Sequence, residues 1–206
     1  MEEYFNQRIN LFFVRHGQSE ANEKKVICGQ LDSPLSKLGI KQARQLKESL
    51  DNEGLNFDKC YTSPLSRAYK TAEIVYGSNK YNIISDLVEI NAGDYSHLTT
   101  KELIEINPTL HNHGLEPTLK YPKGESLEEL NLRTIEWFEN MIKQTSCSQK
   151  ILIVAHWGSI NIMIQHILKI PLERYSSFYL QNCHLAHLTV NDDNFNGGQL
   201  HRFNFI

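Results

Sequence analysis

Short apolar runs alternate along the chain with stretches in which apolar residues return every three or four positions. That alternation predicts an α/β sandwich with a mostly parallel central sheet. Residues 11–14 read as the first strand, and Ser36 caps a helix in which Ile40, Ala43, Leu46 and Leu50 recur at helical spacing before Asp51-Asn52-Glu53-Gly54. Residues 57–61 form a second strand. Ser63 then reads as an N-cap and Pro64 as the first residue of a helix over 64–76, with Leu65, Ala68, Ala72 and Val75 on its inner face. Residues 83–84 and 88–90 read as short strands. Ser126 caps a long helix whose Leu127, Leu130, Ile135, Phe138 and Ile142 face the core, and residues 151–154 return as a central strand buried on both faces. A helix over 159–168 and strands over 178–180, 184–190 and 200–205 complete the pattern, with the Asn-, Asp- and Gly-rich residues 191–198 as a hairpin turn. No internal repeat, low-complexity segment or linker interrupts it, so residues 1–206 read as one domain.

Composition changes that picture little and narrows the function. With 206 residues, 40% of them apolar, the chain can bury a substantial core without disulfides or metal. The formal charge of -3 offers no general attraction for nucleic acid or an anionic membrane, so affinity for an anion must come from local clusters of Arg, Lys and His. Cys28, Cys60, Cys147 and Cys183 are dispersed without metal-ligand spacing, and no signal-peptide pattern precedes Leu11; a cytoplasmic protein is expected. No apolar run approaches the roughly 20 residues of a spanning helix.

Four places put a charged or titratable group where a core strand gives way to a loop or helix. In Leu11-Phe12-Phe13-Val14-Arg15-His16-Gly17-Gln18-Ser19-Glu20-Ala21-Asn22, an apolar strand delivers an adjacent Arg and His into a glycine turn. Arg offers a planar fork for phosphate oxygens, His a nucleophile or acid/base near neutral pH, and Gly17 a close approach of backbone to an anion. Arg67 lies one turn into the helix after Ser63-Pro64, near its positive end. Glu89 stands between Val88 and Ile90, either as a proton donor or as the polar face of a short strand. His156 ends the apolar run from Ile151 and precedes Trp157-Gly158; a lone His there is more often structural. In open α/β sheets ligands bind outside the carboxyl ends of the strands, where Arg15, His16, the Ser63 to Arg67 segment and His156 all fall.

Taken in order, Arg15-His16-Gly17, Arg67, Glu89 and His156 resemble the histidine phosphatase superfamily, also called the phosphoglycerate mutase-like family, in its branch 1 phosphatase form. The match runs over nearly the whole chain. It takes in Asn22, Gly29, Asp32-Ser33-Pro34-Leu35, Leu38-Gly39, the Ser-Pro-Leu-x-Arg-Ala-x-x-Thr-Ala segment, the Glu-x-x-x-Gly segment, Gly124-Glu125-Ser126 and the final strand-His-x-Gly.

The resemblance implies a three-layer α/β/α sandwich with a small cap insertion at about residues 97–124. It also implies a metal-independent phosphomonoesterase, a hydrolase of the histidine acid phosphatase kind, acting on a small phosphorylated substrate with no cofactor. His16 would attack phosphorus to give a phosphohistidine that water cleaves, with Arg15, Arg67 and His156 holding the equatorial oxygens. His16 must be neutral to attack, and neighbouring cations favour that form. Glu89 would protonate the leaving oxygen and then activate water; burial raises the pKa this role needs and the pocket's cations lower it. Asn22 and the backbone near Gly29 would add neutral donors, with Cys28 and Trp157 shaping the substrate site.

The chain departs from the family pattern in three places. Trp157 replaces the usual Gly after the last His, Ser96-His97 replaces Glu-Gly, and Cys28 replaces a frequent Ser. His97, His111 and His113 suggest zinc ligands by spacing, but they occupy a polar loop whose alternate residues need not converge, and no metal site is assigned. Lys101, Lys120, Tyr121 and Lys123 are candidates to meet the rest of the substrate. Two alternatives remain beside the phosphatase: a phosphoglycerate mutase, and a non-catalytic phospho-ligand-binding module on the same fold. The mutase is disfavoured because only 67 positions (156 minus 89) separate Glu89 from His156. The C-terminal strands either complete the sheet or pair with a partner, so a homodimer is possible.

Overall fold

Buried strands without polar alternation occupy the centre of the molecule, because both of their faces are covered. The computed structural model describes residues 8–108, 116–175, 177–191 and 197–206. Its strands β1 (Ile9–Arg15), β2 (Lys59–Thr62), β3 (Asn82–Ile83), β4 (Lys150–Ala155), β5 (Leu185–Val190) and β6 (Gly198–Phe205) form one sheet in the order β3-β2-β4-β1-β5-β6. The β1/β4, β2/β4 and β2/β3 pairings are parallel and β1/β5 and β5/β6 antiparallel, so the mostly parallel sheet expected from the sequence is the sheet found.

Successive side chains of a strand point to opposite faces, and the two cores follow that rule. Leu11, Phe13, Ile151 and Ile153 pack with Phe138 of α5 (Leu127–Lys143) and with Met163 and Ile164 of α6 (Trp157–Ile167). Phe12, Val14, Leu152 and Val154 pack with Ala43 and Leu46 of α2 (Lys37–Asn52) and with Ala72 and Val75 of α3 (Ser66–Tyr76). Burying each such Leu, Ile or Phe is worth about 1.5–3 kcal/mol. Caps define the helix starts: Ser36 accepts from Gly39 N–H, and Ser126 and Glu129 form a reciprocal capping box on α5.

Several local expectations are corrected. Residues 88–90 are not a strand; the chain there passes from a 3-10 turn, Ser85–Leu87, into irregular backbone. Residues 178–180 are likewise irregular. The helix expected from Pro64 begins at Ser66, with Leu65 at its N-cap position and no side-chain cap, while Ser63 Oγ accepts from Leu65 N–H at 3.3 Å ahead of the helix. Helix α6 begins at Trp157, two residues before its expected start. The two C-terminal strands complete the sheet, β6 at its edge; of the expected turn between them, residues 192–196 lie outside the described residues. No helix among the described residues is long and apolar enough to cross a membrane.

Between the sheet's β3 edge and α5 the chain makes an excursion over residues 92–124. It contains a 3-10 turn (Gly93–Tyr95) and the short helix α4 (Thr100–Ile106), and it has its own small core of Ala92, Leu103 and Tyr121, flanked by Ile27 and Ile90. Its two ends are tied together: Glu125 N–H donates to the Asn91 carbonyl at 2.9 Å, and Asn91 N–H donates to Glu125 Oε2 at 2.9 Å.

Candidate active site

Three parallel strands end on one edge of the sheet, and each delivers a polar side chain there. Arg15 closes the β1/β4 ladder opposite Ala155, whose carbonyl accepts the His16 N–H at 3.0 Å. Thr62 ends β2 beside Val154, so Ser63 and His156 leave the sheet side by side, and His156 Nε2 shares a 2.8 Å hydrogen bond with Ser63 Oγ. The His16 and His156 rings lie 5.1 Å apart, centroid to centroid.

His16 is 4% exposed and its Nδ1 lies 2.7 Å from the Gly17 carbonyl. A carbonyl only accepts, so Nδ1 carries the proton and Nε2 holds the free lone pair. Burial first, then the charges of Arg67 and Arg15, hold the His16 pKa well below its ordinary value. His156, wholly buried, is lowered in the same way, by burial and then by Arg67, protonated His16, Arg15 and Arg133. Two neutral imidazoles therefore sit among permanent cations.

Arg67 is 2% exposed and donates to the carbonyls of Leu31 at 2.8 Å and Gly29 at 2.7 Å, with a longer contact to Cys28 Sγ at 3.7 Å. Carbonyls orient this guanidinium without neutralising it. Arg15 donates to the Leu180 carbonyl at 3.0 Å and lies 5.6 Å from the centre of the Tyr179 ring. Asn182 Nδ2 donates to the His16 carbonyl at 2.8 Å and to Asn22 Oδ1 at 3.4 Å, fixing the turn after β1 from the far side.

Glu89 reaches the site from irregular backbone. Its Oε2 accepts from Gly158 N–H at 3.1 Å, in the first turn of α6, and its Oε1 accepts from its neighbour Ile90 N–H at 2.9 Å. Thus Arg15, His16, Arg67, Glu89 and His156, more than 140 positions apart at the extremes, converge at the carboxyl edge of the sheet as the sequence led us to expect.

The secondary candidates fare differently. In the Gly29 segment, where backbone donors are expected, the Gly29 carbonyl holds Arg67, and Gly29, at φ +52°, turns close to the Ile90 and Ala92 backbone. Gly17 meets the backbone of α2, not open space: a Cβ on it would lie 2.6 Å from the Gly39 carbonyl. Asn22 caps the short helix α1 (Glu20–Glu23) reciprocally with Ser19, so its carbonyl oxygen is already engaged. Cys28 donates to the Leu31 carbonyl, and burial raises its thiol pKa. The Trp157 indole N–H donates to the Phe178 carbonyl at 3.0 Å and its ring meets Tyr175 edge-on at 5.2 Å, leaving the adjacent Gly158 N–H for Glu89.

Lys101, Lys120 and Lys123 pair with Glu105, Glu129 and Asp94, and Tyr121 is buried in the excursion's core. Among the described residues no group of three or more His, Cys, Asp or Glu is placed to hold a metal ion; His111 and His113 lie outside them. Sequence reasoning missed Ser63 as a partner of His156, and also Tyr175, Arg133 and Asn182.

The family model described as the histidine phosphatase superfamily (branch 1) matches residues 11–204. The chain belongs to that family. It is similar to phosphoserine phosphatase 1 of Hydrogenobacter thermophilus, 33% identical over 178 residues covering 84% of this chain and 83% of that protein. It is also similar to a 2,3-bisphosphoglycerate-dependent phosphoglycerate mutase of Parvibaculum lavamentivorans, 33% identical over 172 residues, 80% of this chain and 82% of the mutase. Among solved structures, a variant of phosphoserine phosphatase from Entamoeba histolytica in complex with phosphoserine superposes with a TM-score of 0.82 at 26% identity, covering 95% of this chain and 96% of that one. Family members of this length therefore include a mutase, and the short interval between Glu89 and His156 does not by itself separate the two activities.

Proposed function

We propose that this histidine phosphatase superfamily member is a metal-independent phosphatase that hydrolyses phosphomonoesters of small metabolites through a phosphohistidine on His16. The observation that carries the reading is the 2.7 Å bond from His16 Nδ1 to the Gly17 carbonyl. It fixes the tautomer whose Nε2 lone pair attacks phosphorus, and the lowered pKa keeps that lone pair available at neutral pH.

In the first step the Nε2–P bond forms as the ester P–O bond breaks, and Glu89, as its carboxylic acid, gives its proton to the leaving alcohol oxygen. In the second, water attacks phosphorus, the N–P bond breaks and the Glu89 carboxylate takes the water's proton, releasing phosphate and neutral His16. The guanidiniums of Arg15 and Arg67 and the ring of His156 meet the equatorial oxygens, where charge builds. Arg67 spends three of its five donors on the protein and has two left for this task. We assign Tyr179, beside Arg15, and Trp157, which holds the Phe178 carbonyl, to the leaving-group side, and residues 97–124 of the excursion to the cap.

Hydrolysis is favoured over the mutase because each Lys of the cap has a carboxylate beside it, which leaves the cap without a surplus of positive charge. A mutase must grip a bisphosphate while turning it, which calls for uncommitted cations. Relatives that are phosphoserine phosphatases support a small phosphorylated metabolite as substrate.

The test is release of nitrophenolate from para-nitrophenyl phosphate in excess chelator, with an acid-labile phosphoprotein trapped on rapid quench. Wild type is expected to give both and His16→Ala neither. Turnover of phosphoglycerate that depends on added 2,3-bisphosphoglycerate, without hydrolysis, would overturn the phosphatase in favour of the mutase. Phosphate binding without turnover would favour the binding module.

A further inference from the structure

Residues 86–89 carry the proposed acid and have no strand partner, so their carbonyls must find donors elsewhere. One side chain supplies most of them. Arg133, in the second turn of α5, donates from Nη1 to the carbonyls of Asp86 at 2.7 Å and Val88 at 3.0 Å, and from Nη2 to the carbonyl of Glu89 itself at 3.0 Å. Its remaining donors, on Nε and Nη2, form a fork to Glu125 Oε1 and Oε2, each at 3.0 Å. A guanidinium has five N–H donors, and all five are used within the protein.

Unlike Arg67, Arg133 has no donor left for phosphate. It is also shielded, with its side chain 19% exposed and that of Glu125 21%. Glu125 extends the clamp: its Oε2 accepts from Asn91 N–H at 2.9 Å and from Gln30 Nε2 at 3.4 Å, and Gln30 Nε2 also donates to the Glu89 carbonyl at 3.0 Å. The backbone is thereby fixed on both sides of Glu89, while the carboxylate is held by Gly158 and Ile90.

We infer that Arg133, held by Glu125, is a positioning residue that sets the Glu89 carboxyl at the leaving-group oxygen and takes no part in binding phosphate. This rests on the acid role proposed for Glu89. A lysine has three donors on a point charge and cannot reproduce the fork and the carbonyl contacts together. Arg133→Lys therefore frees the acid loop while keeping the charge, and Glu125→Gln weakens the fork by a second, milder route.

The experiment measures kcat and KM for both variants, and for Glu89→Gln, on para-nitrophenyl phosphate and on an alkyl ester such as β-glycerophosphate, with vanadate inhibition as a readout of the phosphate pocket. General acid catalysis is worth roughly 10²–10⁴-fold. Arg133→Lys is expected to lose at least about ten-fold in kcat/KM, which reports the phosphorylation step alone, on the alkyl ester and far less on the nitrophenyl ester, whose leaving group needs little protonation, with vanadate inhibition kept. The double variant Arg133→Lys/Glu89→Gln should be no worse on the alkyl ester than Glu89→Gln.

Equal losses on both esters, or weakened vanadate inhibition, with Glu89→Gln still selective for the alkyl ester, would make Arg133 a structural residue only and overturn the inference. Unchanged kinetics in both Arg133→Lys and Glu125→Gln would do the same. Equal losses in Glu89→Gln itself would instead remove the acid role from Glu89, and the inference would fall with it.

Discussion

Gly158 donates its backbone N–H to Glu89 Oε2 at 3.1 Å, and a Cβ placed on Gly158 would lie 2.1 Å from Oε1 of the same carboxylate and 2.8 Å from the Tyr175 hydroxyl. The carboxyl stands where no side chain at position 158 can coexist with it. Gly158→Ala is therefore expected to push Glu89 out of place and lower kcat/KM on alkyl phosphates by about ten-fold or more, with a smaller loss on nitrophenyl phosphate. Parallel kinetics on the two esters check it; an equal loss on both would place the damage elsewhere.

His156 has one hydrogen-bond partner for its ring, Ser63, because its Nδ1 is buried without one. Ser63→Ala leaves both nitrogens unsatisfied, which costs about 1–3 kcal/mol for a buried polar group. The urea midpoint should fall with the slope unchanged. Activity should fall further than stability alone explains, because the ring loses its orientation toward the phosphate.

Arg67 is bound by geometry as much as by charge, since its fork spans the Gly29 and Leu31 carbonyls. Arg67→Lys keeps the charge and loses the fork, so we expect kcat to fall by roughly 10²–10³, the scale of losing one donor to a transition-state oxygen. Vanadate titration should show a matching loss of affinity.

The lowered pKa values of His16 and His156 give two pH dependences of defined sign. For activity, the attacking form is neutral imidazole, so the acid limb of kcat/KM due to His16 should lie below pH 6.5, the ordinary histidine value. For stability, below pH 6.5 the unfolded chain takes up protons that the folded chain refuses, so stability is lost as pH falls from 6.5 toward the folded-state values. Each of the two buried rings contributes a slope of up to about 1.4 kcal/mol per pH unit. His187, half-buried and stacked on Phe12, is lowered to about 4 by burial and adds to the same window. Denaturant titrations from pH 7.5 to 4.5 test this; a flat profile would mean that these rings take up protons in the native state as readily as in the unfolded chain.

Trp157→Phe keeps an aromatic ring beside Tyr175 and removes the indole N–H that holds the Phe178 carbonyl. With residues 178–180 released on the leaving-group side, KM for a bulky ester should rise while kcat on nitrophenyl phosphate changes little. Steady-state kinetics over a series of esters of increasing size would show it.

The legible parts of the fold were those whose partners share their own periodicity. Leu11 to Val14 and Ile151 to Val154 are apolar on both faces because helices cover both, and the run alone says so. The two false strands, at 88–90 and 178–180, share one cause. Their apolar residues mimic a ladder, but their carbonyls are taken by distant side chains: Val88 and Glu89 by Arg133, and Phe178 and Leu180 by Trp157 and Arg15. Hydrophobic spacing carries no record of such contacts. Within the site, Arg15, His16, Arg67, Glu89 and His156 were readable because each stands in an ordered motif. Ser63 was misread because Ser-Pro has the signature of a helix start, whereas here its hydroxyl faces a histidine 93 positions away. The hold of the Gly29 carbonyl on Arg67 depends on where a buried arginine comes to rest, which no local pattern encodes.

The mutual bonds of Asn91 and Glu125 close the excursion over residues 92–124 at its base. A second tie lies within the excursion, where Ile27 N–H donates to the Leu98 carbonyl and His97 N–H to the Ile27 carbonyl, both at 2.7 Å, two positions before the Gly29 carbonyl that holds Arg67. The exchangeable part is thus the stretch beyond both ties: splicing a different segment between residues 100 and 119 should alter which alcohol is accepted while leaving the chemistry at phosphorus intact.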